Sequence, residues 1–154
     1  MEYTVVKWLH ILSSTLLFGT GLGSAYYMFF ASRTRDATLI AHVVRYVVIA
    51  DWLFTTTTIV FQPLSGWYLA HLAGFPLTTR WIVYSFALYF LAGACWLPVV
   101  WLQMRMRDMA RLAAARNESL PADYFRMLGI WTALGVPAFL ALVIVFYLMV
   151  AKPA

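Results

Sequence analysis

Charge is what this chain has least of. Only 11% of its 154 residues are Asp, Glu, Lys or Arg, where soluble domains carry about 25%. Beside a hydrophobic share of 64%, that scarcity excludes an ordinary soluble domain. Cysteine is nearly absent: Cys95 stands alone, which excludes an intramolecular disulfide and a paired CxxC metal site. Histidine is confined to His10, His42 and His71. No set of three or four nitrogen and sulfur ligands lies at one depth, so zinc is not expected. The net charge of +5 follows helix ends rather than forming a basic stripe, and no nucleic-acid partner is expected.

Long apolar runs are what the chain has instead. A membrane-spanning helix needs roughly 20 apolar residues, and four such stretches predict helices over about 3–31, 39–72, 79–110 and 122–150. The expected fold is all-α: a four-transmembrane-helix bundle, multi-pass, forming one integral membrane domain over 1–154 with the lipid bilayer as its surroundings. The first stretch is longer than a signal-peptide core and carries Lys7 and His10, so it reads as a retained helix. Arg33, Arg35, Arg45, Arg105, Arg107, Arg111, Arg116 and Arg126 cluster in or beside the first and third connections, against Lys7, Arg80 and Lys152 toward the other side. The positive-inside rule then predicts an N-out, C-out topology.

Asp51 is the most informative single residue. A carboxylate inside a spanning helix costs about 2.5–3.5 kcal/mol on insertion scales, so it is expected to face the protein interior and to be functional. Thr55, Thr58, Gln62 and Ser65/Gly66 follow within about 60° of it on a regular helix, a polar stripe. Gln103 and Arg105 are its candidate partners from the third helix, and the choice between a proton-handling, catalytic role and a structural pin stays open. Pro63 predicts a bend and a freed backbone carbonyl in the same helix.

On the first helix, Ser13, Ser14, Leu17, Gly21, Ser24 and Met28 share a face with His10. Gly19 and Gly23 have the small-xxx-small spacing that admits a neighbouring helix or a flat ligand. A histidine inside the membrane is either a hydrogen-bonded structural residue or an axial ligand to haem iron. His71 is expected at the same membrane side as His10, which suits a haem-ligand pair, yet its helical phase lies about 160° from the Asp51 stripe. The third helix collects Ser85, Tyr89, Ala92, Trp96 and Gln103 on one face, with Pro98 as a kink. The fourth carries Thr132, Gly135 and Pro137 and reads as a wall.

Lys7-Trp8-Leu9-His10 with Phe18-Gly19, then Pro63-Leu64-Ser65-Gly66 and Trp81, resembles the HemJ-type haem-binding protoporphyrinogen IX oxidases. Phe18–Gly23, Ala50-Asp51, Gln62-Pro63 through Gly66, and Cys95-Trp96-Leu97-Pro98 through Gln103 are similar, over nearly the whole chain, to a bacterial four-helix inner-membrane family of unknown function. The resemblance implies a bacterial inner (cytoplasmic) membrane location. It also implies haem b as cofactor, with His10 matching the oxidase's first-helix histidine. The oxidase's later-helix lysine has no counterpart, because the third helix opens Arg80-Trp81-Ile82-Val83-Tyr84. The leading expectation is a haem-b-binding redox protein, a possible membrane oxidoreductase. His10 would be its metal ligand, and Lys7, Gly19, Gly23 and His71 the further cofactor-binding candidates. Quinone or porphyrin are candidate small-molecule partners. Two alternatives stay open: a non-catalytic accessory or assembly subunit contacting other membrane subunits or its own copies, and a small proton-conducting or transport bundle centred on Asp51.

Overall fold

The computed structural model describes residues 1–153; Ala154, the last residue of the domain expected over 1–154, lies outside them. Four helices long and apolar enough to cross a membrane make up the structure, and no strand occurs among the described residues. They are α1 (Glu2–Thr34), α2 (Ala37–Leu72), α3 (Arg80–Arg116) and α4 (Ala122–Ala151).

The connections explain the ends. Arg35 takes a left-handed conformation at φ 58° and closes α1. Asp36 immediately caps α2, its carboxylate accepting from the amides of Thr38 and Leu39 at 2.8 and 3.1 Å. Gly74, at φ 72°, supplies the left-handed residue that turns the chain after α2. The third helix runs six residues beyond the expected end near 110. Ala113, Ala114 and Ala115 are strong helix formers there, and Ala110 and Ala113 are buried in the core.

α2 is not regular. Asp51–Thr55 forms a π-helical turn, in which the Thr56 amide donates to the Asp51 carbonyl and the Thr56 hydroxyl reaches the same oxygen at 3.0 Å. An inserted residue of this kind resets the helical phase. Before the turn, α2 packs on both α1 and α3; beyond it, α2 stays against α1 and draws away from α3.

The bundle is therefore solid in one half and hollow in the other. At the arginine end, Met28, Ile40, Val44, Met106 and Tyr124 are fully buried in one apolar cluster, and the Tyr124 hydroxyl meets Ser32 Oγ at 2.8 Å. At the end where both termini lie, only a small cluster of Ala70, Trp81, Ile82 and Leu148 closes the bundle. Toward lipid, only 11% of the most apolar window of α1 and of α4 is buried within the chain, so a bilayer must cover those faces.

Candidate functional site

Between the four helices, at the terminal end, lies a cavity of about 490 Å³. Small-molecule and cofactor sites span roughly 300–1,000 Å³. Its wall takes His10 and Phe18 from α1, Gln62 and Gly66 from α2, Ser85 and Tyr89 from α3, and Phe146 and Met149 from α4. α1 and α4 barely touch. Phe18 bridges them, stacked on Phe139 with centroids 5.1 Å apart and edge-on to Phe146 at 5.3 Å.

Pro63 helps to build this wall. It carries no amide, so the carbonyl four residues back, that of Ile59, loses its helical donor. The Tyr89 hydroxyl donates to it at 2.8 Å. The freed carbonyl expected near Pro63 is thus the tie between α2 and α3 where the two helices otherwise diverge.

His10 is the centre of the polar wall. Its Nδ1 lies 2.7 Å from Ser65 Oγ, and the Ser65 hydroxyl donates its single proton to the backbone, with the Phe61 and Gln62 carbonyls at 2.8 and 3.1 Å. With Ser65 Oγ accepting from His10, the ring proton sits on Nδ1 and Nε2 keeps its lone pair, the tautomer that fits this set of contacts. Gln62 Nε2 donates to that lone pair at 3.1 Å. The amide oxygen of Gln62 is buried with no partner. Gly66 permits this arrangement, since a β-carbon there would stand 3.3 Å from Cε1 of His10.

The Asp51 stripe does not hold together as one surface. Thr55 Oγ1 donates to Asp51 Oδ1 at 2.8 Å. Asp51 sits in a seam with Trp96 and Gln103 of α3 that has no space for a water molecule. Thr58 is buried and turns its hydroxyl back to the Phe54 carbonyl at 2.6 Å. Gln62, Ser65 and Gly66 belong to the His10 wall instead. The π-helical turn is the physical reason, because the expected stripe assumed an unbroken 100° step. Arg105 is not the partner of Asp51: its guanidinium lies over the Trp101 ring, 5.5 Å from the centroid.

The remaining candidates lie apart. His71 is exposed and stacks on Trp67, outside the cavity wall. His42 is exposed and bonds the Thr38 carbonyl of its own helix at 2.8 Å. Nothing comes within 4 Å of a β-carbon built on Gly19 or Gly23, so neither glycine marks a close helix crossing within this chain. Lys7 does line the cavity. So does Lys152, which the reading of the fourth helix as a plain wall passed over. Its lone position among the apolar residues at that end was the available signal.

A family described as "Predicted integral membrane protein (DUF2269)" matches residues 4–153. No curated protein and no solved structure matches the chain.

Proposed function

The chain belongs to that family of integral membrane proteins, and from this premise we propose that it is a small haem-b-binding redox protein of a bacterial inner membrane, with His10 as an axial ligand. The carrying observation is the hydrogen bonding of His10. Ser65 holds the ring from its Nδ1 side, and the ring lines the cavity with Nε2 engaged only by Gln62. Haem-ligating and metal-ligating histidines are oriented in this way by their other nitrogen. Gln62 occupies the lone pair and would rotate aside on ligation. Met149 is the one sulfur donor in the wall, while His71 lies outside it. A haem held there would supply one-electron transfer. The positive-inside rule supports placing the arginine end in the cytoplasm, with both termini and the cavity on the outer side.

A second reading has its own support. The cavity has room for a quinol or a metal-free porphyrin, and Gln62 and His10 line it as polar partners for a hydroxyl or N–H. The accessory-subunit reading draws on Gly19 and Gly23, which this chain leaves uncovered. The proton-conducting reading is the least supported, because the Asp51 seam admits no water.

The test is an optical spectrum of the purified protein, as isolated and after dithionite. The expected result is a Soret band with sharpened reduced bands, lost in His10→Ala. A protein that stays colourless after haem reconstitution would sink the haem reading.

A further inference from the structure

The mouth of the cavity has a charge pattern that its interior does not. Lys7 and Lys152 both line the cavity, one from α1 and one immediately after α4. Each ammonium is held over aromatic rings that also line it: Lys7 lies 5.8 Å from the Tyr3 centroid, and Lys152 lies 5.4 Å from Phe75 and 5.8 Å from Trp81. Neither lysine is paired with a carboxylate among the described residues. Glu2 is the one acidic side chain at this end of the bundle, and it already accepts the Tyr68 hydroxyl. Beside the lysines and the polar group around His10, much of the wall is apolar, with Leu69, Ile82, Phe86, Leu142 and Val145. Two cations without a carboxylate partner among the described residues, beside a largely apolar chamber, suit an amphiphile with an anionic head.

We infer that the cavity selects amphiphiles bearing carboxylates, which Lys7 and Lys152 hold at the terminal end while the ring or chain body extends inward toward His10. The inference rests on the proposed binding cavity but not on haem iron. An anionic head could equally come from a phospholipid. A chamber of about 490 Å³ suits one ring system or one chain rather than paired acyl tails, and that favours the carboxylate source.

Metal-free protoporphyrin IX separates these possibilities, because it offers two carboxylates and no iron. Its fluorescence on titration with the full-length protein, referenced to empty detergent micelles, gives the affinity; its dimethyl ester is the uncharged control. The acid should bind at least tenfold more tightly than the ester. Lys7→Gln and Lys152→Gln should each weaken the acid roughly fivefold, the size of a lysine's attraction near a membrane surface, and leave the ester unchanged. Equal affinity for acid and ester, or no binding of either, overturns the inference. So does displacement of the acid by phosphatidylglycerol, which would mark a headgroup site. The haem reading fails separately: a Soret band indifferent to His10→Ala removes axial ligation without changing the acid-to-ester ratio.

Discussion

Tyr89 and Ile59 are joined by a hydrogen bond of 2.8 Å to the carbonyl that Pro63 deprives of its amide. The bond spans α2 and α3 where the bundle opens around the cavity, so a local backbone defect becomes a tertiary tie. Hydrogen bonds between membrane helices average about 0.6 kcal/mol and reach about 1.7. Tyr89→Phe should therefore cost about 1 kcal/mol in reversible unfolding from detergent. In the Pro63→Ala background the new amide competes for the same oxygen, and the cost of Tyr89→Phe should shrink toward zero. Strict additivity of the two substitutions would show that the Ile59 carbonyl has another partner.

Gly66 and Gly19 make opposite predictions although both are helical glycines. Gly66→Ala sets a methyl 3.3 Å from the His10 ring, tighter than ordinary contact, in a ring already fixed on both nitrogens. The ring must shift, and affinity for any ligand bound through Nε2 should fall. Gly19→Ala and Gly23→Ala meet nothing within 4 Å and should leave binding unchanged. Ligand titrations on the three variants decide the matter, and equal effects would break the link between Gly66 and His10.

Ser65 would act on a haem bound by His10 only through that ring, which it touches at 2.7 Å. Loss of an outer hydrogen-bond partner of a metal-ligating histidine typically costs about 10–100-fold in affinity. Ser65→Ala should lower haem affinity by that order with the helix content unchanged, and Ser65→Thr should restore part of it by keeping the hydroxyl. The discriminating readout is the reduced optical spectrum, whose band positions report the axial ligand field; a role confined to helix packing would leave them in place.

The four spans were legible because lipid demands long apolar runs and places arginines beside two connections, and nothing in the tertiary structure competes with that signal. Pro63 was legible too, since a missing amide is a local fact. The split of the polar stripe was not. Asp51, Thr55, Gln62 and Ser65 share a face only on a regular helix, and the π-helical turn at Asp51–Thr55 comes from packing that residue types do not announce. It directs Asp51 to Gln103 and Gln62 to His10. The cavity was equally hidden, because its walls use the same Leu, Phe and Val residues that elsewhere face lipid.

Asp51 is predicted to be a pin rather than a proton carrier. Its carboxyl accepts from Thr55 at 2.8 Å beside Gln103, in a seam closed to water and separate from the cavity wall. Asp51→Asn keeps an oxygen to accept from Thr55, and its effect on stability should be small. Asp51→Ala removes that acceptor and leaves a void, at a cost of about 1–3 kcal/mol. Both variants should keep wild-type ligand affinity wherever they fold, since Asp51 is not part of the cavity. Proton flux into proteoliposomes provides the opposing test. A flux present in the wild type and abolished by Asp51→Asn, with the fold intact by circular dichroism, would require water to reach a seam that is dry in this conformation, and would return the polar stripe to the centre of the mechanism.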